Sequence, residues 1–247
     1  MMQRLLSILL VVVVLAAGCG SDTSGEPPAG RPPLASPPDP GPPPNSDGLS
    51  ADVRQDVARS TVRVTGIACG STTEGSGFAV GRELIATNAH VLVGLGTPTI
   101  ELGDGRSLDG EIIAFNAIDD LALIRARGAD FEPLRLGPAE DGTVGAVFGW
   151  EPGPTVDPTP FRIDRPVTVR IEAVASDERI ERRSWLLAAR IEAGDSGAAL
   201  IDPTGTVVGV AYATTTRGSS VAYAVRAERL EALITEGLDA DLVVPDC

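Results

Sequence analysis

The chain has 247 residues, 43% of them hydrophobic but only 4% aromatic, with 28 Gly and 20 Pro. This suits one sizeable aliphatic core interrupted by many turns. A net charge of −14 and a pI near 4.4 argue against nucleic acid as a partner, because an acidic surface repels phosphate.

In chain order, Arg4 precedes the apolar run Leu5 to Ala17. That run is shorter than the roughly 20 residues a membrane span needs. Residues 1–18 are therefore expected to be a signal peptide. The run ends in Leu15-Ala16-Ala17-Gly18-Cys19, which resembles the lipobox of bacterial lipoproteins. In that family the cysteine is acylated and becomes the new N-terminus. Ala16 departs from the family, which usually has Leu there. The other reading is an ordinary cleaved signal with an incidental Cys19.

Residues 19–49 read as this lipidated cysteine followed by a tether rich in Pro, Gly, Ser and Asp, including PPAGRPPLASPPDPGPPP. Such a segment buries no core and prefers extended polyproline conformations. The expected location is the extracytoplasmic face of the cell membrane, held there by lipid. Residues 50–247 are expected to form the folded domain.

Val53 and Val57 sit at helical spacing within Leu49–Ser60, a short lead-in helix. Short strands follow, separated by turn residues: Thr61–Ile67, Gly77–Val80, Glu83–Thr87, Pro98–Leu102, Leu108–Asn116 and Asp120–Arg125. A second set is Thr143–Trp150, Phe161–Ala175, Ser184–Ile191, Ala198–Ile201, Thr206–Ala213 and Ser220–Val225. Strands at this spacing imply an all-β sandwich or barrels. Leu230, Leu233 and Ile234 give Arg226–Glu236 one apolar helical face.

Three segments carry the chemistry. GSGFAVGRELIATNAHV contains His90, the single histidine of the chain; Asp119 and Asp120 precede Leu-Ala-Leu-Ile; and Gly194-Asp195-Ser196-Gly197 forms a glycine-flanked turn. Acyl transfer needs a nucleophile, a base, a carboxylate that orients the base, and N–H donors for the developing oxyanion. His90, Asp120 and Ser196 fit the first three roles, and the N–H groups of Gly194 and Ser196 the last. Taken alone, each segment has a structural reading: a core histidine, a strand-end carboxylate, a tight turn. Their occurrence together, in the order His, Asp, Ser with separations of 30 and 76 residues, favours catalysis. Asp119 competes with Asp120, which is preferred because it directly precedes the apolar run.

TNAHV, DDLALI and GDSG resemble the segments around the catalytic histidine, aspartate and serine of trypsin-like peptidases. The resemblance runs from about Thr61 to Leu233 and implies a chymotrypsin-like double six-stranded β-barrel with a C-terminal helix. The site would lie in the cleft between barrels. Within that family the chain is similar to the MarP-like periplasmic serine proteases, through Cys69 before EGSGF, GAVFGW, ARIEAGDSGAALID and a cysteine near the C-terminus. Those relatives carry a transmembrane helical domain ahead of the protease, where this chain has a lipoprotein-like signal.

If Cys19 carries lipid, Cys69 and Cys247 remain, and export permits a disulfide between them. The alternative is two free thiols. The MarP resemblance implies the bridge. It also implies an S1 pocket with Arg190 at its base and Tyr212, Ala213 and Thr214 in its walls. Arg190 would favour acidic P1 side chains, unless it pairs with Glu192 or another carboxylate. Ala198-Ala199 departs from the usual Gly-Pro after GDSG, and a positive φ at Ala198 would strain it.

One histidine and two remaining cysteines make no usual zinc cluster, and no glycine-rich phosphate loop is present, so no cofactor is expected. The resulting expectation is an extracytoplasmic serine endopeptidase acting on proteins or peptides as a monomer, with a role in envelope quality control or stress response. A catalytically impaired binding lipoprotein and an esterase are the other readings.

Overall fold

The computed structural model describes residues 39–150, 157–214, 219–236 and 244–246. The expected signal peptide, Cys19, most of the tether and Cys247 lie outside the described residues. Helix α1 (Ala51–Ser60) starts at Ser50, whose hydroxyl accepts from the Val53 N–H at 3.3 Å. This is an ordinary N-cap, and Val57 faces the core.

Six strands follow: β1 (Thr61–Ala68), β2 (Ser71–Gly81), β3 (Leu84–Thr87), β4 (Thr99–Leu102), β5 (Ser107–Asn116) and β6 (Leu121–Ala126). They close in the order β1-β2-β3-β6-β5-β4, sealed by β1 against β4. β2 begins six residues before the expected Gly77. Cys69 and Gly70, both with positive φ, make the two-residue turn that pairs Ala68 with Ser71. Such turns match strand twist and extend a hairpin through polar residues that lack an apolar alternation.

The second set comprises β7 (Arg135–Leu136), β8 (Val144–Phe148), β9 (Thr159–Glu172), β10 (Arg179–Ala188), β11 (Ala199–Ile201), β12 (Thr206–Thr214) and β13 (Val221–Arg226). The order β11-β8-β9-β10-β13-β12 closes through β11 against β12, and β7 adds a parallel pairing outside this ring. The chain is thus an all-β double barrel of chymotrypsin-like type. Helix α2 (Ala227–Glu236) ends the described fold apart from residues 244–246.

Three cores hold these layers together. Val62, Val64, Ala79, Ile85, Ile100, Ala122 and Ile124 fill the first barrel, and Phe161, Ile163, Trp185, Leu187 and Leu200 belong to the second. Between them lie Phe78, Ala86, Leu121, Leu123, Phe148, Leu186, Val210 and Val225. β6 therefore buries both faces, with Ala122 and Ile124 on one side and Leu121 and Leu123 on the other. This is why Leu-Ala-Leu-Ile reads as an unbroken apolar run, and it presses the residue before it, Asp120, into the seam between barrels.

Candidate active site

β3 ends at Thr87, and the chain turns through Asn88 into a short 3₁₀ segment, Ala89–Leu92. Asn88 is buried and its side-chain amide donates to the Asp120 carbonyl at 2.8 Å. That bond ties the histidine loop to the turn before β6. The Asp120 carboxylate then takes two donors from one residue. The His90 main-chain N–H reaches Oδ1 at 2.9 Å, and ring Nδ1 lies 3.0 Å from Oδ1 and 2.8 Å from Oδ2. The Asp120 side chain is 3% exposed and that of His90 39%. A neutral imidazole held this way carries its proton on Nδ1 and leaves Nε2 as the basic nitrogen. Asp120 has φ +57, a left-handed conformation that Asp tolerates better than most residues.

Asp119 points elsewhere. Its carboxylate binds Arg229 of α2, with Nη2 at 2.6 Å and Nε at 3.1 Å, and its main-chain N–H reaches the Asn116 side chain at 2.8 Å. The ion pair strengthens the hold of Arg229 on its proton. Adjacent carboxylates thus anchor a helix and orient a histidine respectively.

The Gly194–Gly197 turn is docked onto the first barrel from the other side. The Ser76 N–H donates to the Ser196 carbonyl at 2.7 Å, and its hydroxyl donates to the Gly194 carbonyl at 2.6 Å. The same hydroxyl accepts from the Trp150 N–H at 2.9 Å. Gly194 and Gly197 have φ +102 and +87. A Cβ on Gly197 would sit 2.1 Å from the Ser76 carbonyl oxygen and 3.2 Å from the Asn88 nitrogen. The backbone beside Ser196 therefore touches the backbone two residues before His90. Within the turn, Glu192 N–H donates to the Asp195 carboxylate at 2.8 Å. Among the described residues, the N–H groups of Gly194 and Ser196 and the Ser196 hydroxyl have no hydrogen-bond partner.

Comparison with known proteins gives this geometry a family. The model for the trypsin-like peptidase domain matches residues 75–210, more than half of the chain. The chain belongs to the trypsin-like peptidase family. Serine protease Rv3671c of Mycobacterium tuberculosis is 30% identical over 158 residues, covering 62% of this chain and 40% of that protein. Serine protease HTRA1 of Xenopus tropicalis is 30% identical over 174 residues, covering 66% of this chain and 35% of that protein. The chain thus aligns with less than half the length of these curated relatives. The crystal structure of the active form of the Rv3671c protease superposes with a TM-score of 0.75 at 24% identity, covering 84% of this chain and 93% of that one.

In a trypsin-like peptidase the doublet Ala198-Ala199 is unusual, but neither residue has a positive φ; Gly197 takes that conformation instead. The strain that would argue for an impaired site is therefore absent. Arg190 is exposed and, among the described residues, pairs with no carboxylate, Glu192 included. Tyr212 is buried, and its hydroxyl is bonded to Ser184 at 2.9 Å. Ala213 and Thr214 continue β12, and their side chains lie outside the description. Cys69 is disulfide-bonded.

Two residues of this site were not singled out by sequence reasoning. Ser76 lay unremarked in the GSG motif, although a serine between glycines next to a strand is a place where a buried hydroxyl can meet a second chain. Arg182 lies in β10, and its guanidinium reaches across to the Ile118 and Ala117 carbonyls and to Asp120. Nothing in DERIERRSW separates it from Arg179 and Arg183.

Proposed function

We propose that the chain is an extracytoplasmic serine endopeptidase that cleaves peptide bonds through an acyl-enzyme. The observation that carries this reading is the single buried carboxylate of Asp120 holding both N–H groups of His90, at the seam where the GDSG turn docks. Ser196 Oγ attacks the scissile carbonyl carbon while its proton passes to His90 Nε2. The negative charge on the carbonyl oxygen is met by the N–H groups of Gly194 and Ser196. The tetrahedral intermediate collapses, the C–N bond breaks, and the leaving amine takes the proton from His90. Water then attacks the ester with His90 again as base, which releases the acid and regenerates Ser196.

Arg190 at the base of S1, with Tyr212, Ala213 and Thr214 along its walls, selects acidic P1 side chains. That the exposed Arg190 guanidinium pairs with no carboxylate among the described residues supports this. Flat P1 preference in a peptide library would remove the specificity while leaving the peptidase reading intact. Cys19 carries the lipid that tethers the domain to the membrane, and Cys69 pairs with Cys247. Among the described residues no helix is long and apolar enough to cross a membrane. The substrates are envelope proteins or peptides, consistent with a role in quality control or stress response.

The deciding experiment treats the chain with a fluorophosphonate probe beside Ser196→Ala and His90→Ala. Labelling of the wild type and of neither variant supports the triad. A folded wild type that stays unlabelled across pH overturns it and leaves a binding role. Turnover of esters alone would favour the esterase reading. Metabolic labelling with a fatty acid, lost in Cys19→Ser, tests the anchor.

A further inference from the structure

We propose that Arg182 is a positioning residue for the catalytic carboxylate: a buried guanidinium from the second barrel that fixes the Asp120 turn of the first. The inference rests on the reading of His90 and Asp120 as a catalytic pair.

Arg182 is the largest fully buried side chain of the described residues, 2% exposed. Burying a guanidinium is expensive unless its charge is paired and its donors are used. Every hydrogen bond it makes goes to one short stretch. Nε donates to the Ile118 carbonyl at 2.8 Å, Nη2 to the Ala117 carbonyl at 3.4 Å, and Nη1 reaches Asp120 Oδ2 at 3.5 Å. The remaining face lies over the Tyr212 ring, 4.9 Å from its centroid. Tyr212 is itself held by Ser184, two residues further along β10. The guanidinium is thus stacked from below and aimed at the turn.

That turn needs holding. Asp120 is one of three non-glycine residues with positive φ among those described, a conformation that persists when its surroundings over-determine it. Asn88 holds its carbonyl, and Arg182 holds the carbonyls of Ile118 and Ala117, two and three residues earlier, and reaches the outer carboxylate oxygen. His90 occupies Oδ1 twice and shares Oδ2. Among the described residues, Arg182 is the only other group bonded to the carboxylate. Without it, the carboxylate would be a buried anion facing a neutral imidazole, with its Oδ2 held by the His90 ring alone. With it, anion and cation balance inside the seam. Because the guanidinium comes from the second barrel, which also carries Ser196, it couples the orientation of the base to the barrel that carries the nucleophile.

The test is a double-mutant cycle on kcat and KM, normalised to active sites. Arg182→Met is expected to lower kcat by roughly ten-fold or more with KM within about two-fold, because misplacement of a catalytic group is costly even at the ångström scale. In an Asp120→Asn background, itself expected to lose about 10⁴-fold in kcat, the same change should have no further effect. A role in fold stability alone would instead reduce the yield of folded protein and leave kcat per site unchanged. Arg182→Gln, which keeps a donor for one carbonyl, is the second variant should Arg182→Met fold poorly, and is expected to show the same dependence on Asp120. Full kcat in Arg182→Met, or an equal loss with and without Asp120, overturns the proposal. A wild type that neither labels nor turns over would instead overturn the peptidase reading beneath it, so the two failures are distinguishable.

Discussion

His90 donates its main-chain N–H and lies with its ring Nδ1 against the same carboxylate, that of Asp120, at 2.9 Å and 2.8 Å. Orientation of the imidazole is therefore not left to one side-chain bond. Rotating the ring away from Asp120 would break only part of the contact, and the peptide of His90 would remain anchored. The neighbouring carboxylate, Asp119, faces the opposite way and holds Arg229.

This division separates two variants that differ by one position. Asp120→Asn keeps the shape but presents an amide to His90 and leaves the buried Arg182 without its counter-charge, so kcat should fall about 10⁴-fold and the melting temperature should fall as well. Asp119→Asn should leave kcat within about three-fold and destabilise the fold by about 1–3 kcal/mol, since Arg229 loses a partly buried, multiply bonded partner. Turnover and thermal melts on both variants check this. A large kcat loss in Asp119→Asn with an intact fold would reverse the assignment of the two carboxylates.

Ser76 predicts a different pattern. Its hydroxyl joins the Gly194 carbonyl to the Trp150 N–H, and its own N–H holds the Ser196 carbonyl. Ser76→Ala removes the first two bonds and leaves the half-buried Gly194 carbonyl without its donor. We expect kcat to fall by about 10–100-fold, below the loss from deleting an oxyanion donor outright, with KM little changed. A peptide aldehyde, which forms an oxyanion on Ser196, should lose affinity in parallel, while a non-reactive peptide alcohol should not. Equal losses for both ligands would mean that Ser76 shapes the groove and not the oxyanion site.

The motifs were legible because they combine rare residues with rigid local requirements. A single histidine, a glycine-flanked serine and an aspartate before an apolar run each leave few alternatives once they stand together. Most strands were legible from short apolar runs between turn residues. β7 was not, being two residues paired in parallel to β12 with no periodicity of its own. β10 starts five residues before the expected Ser184, because Arg179–Arg183 is a charged stretch whose strand character comes from pairing with β9. Arg182 is buried in that stretch between exposed neighbours. Its role depends on a turn 62 residues earlier in the chain, and charge pattern alone does not reveal such a partner.

Cys69 sits in the β1–β2 turn with φ +53 and is disulfide-bonded. Near the other end of the chain, the Pro245 carbonyl accepts from the Gly94 N–H at 2.9 Å, which ties residues 244–246 to the first barrel. With Cys247 as the partner, peptide mapping under non-reducing conditions should yield one cross-linked pair, Cys69 with Cys247. Cys247→Ser should destabilise the domain by about 3–5 kcal/mol in the chain-entropy limit, and by less where the reduced chain keeps residual structure. A Cys19–Cys69 cross-link would overturn both this pairing and the lipid anchor.

The chain has only two tyrosines, which makes its alkaline limb readable. Burial pushes the Tyr212 phenol up, with the Ser184 hydrogen bond and the Arg182 charge pulling partly against it. Burial also raises Tyr223, whose ring lies 6.2 Å from that of Tyr212. A phenol raised in the folded state keeps its proton where the unfolded chain has lost it. Its contribution to stability is therefore complete below the unfolded value near 10 and is lost as pH rises through the higher folded value. Absorbance at 295 nm should show little tyrosinate at pH 10 in the folded protein. The signal should then rise together with the loss of the β-sheet circular dichroism. In Tyr212→Phe the absorbance step should halve and the alkaline unfolding midpoint should move up. Stability at neutral pH should meanwhile fall by about 1 kcal/mol, because the buried Ser184 hydroxyl loses its partner. Two tyrosines that titrate near pH 10 with the fold intact would show that the Arg182–Tyr212 stack opens to water, and the support beneath Asp120 would have to be sought elsewhere.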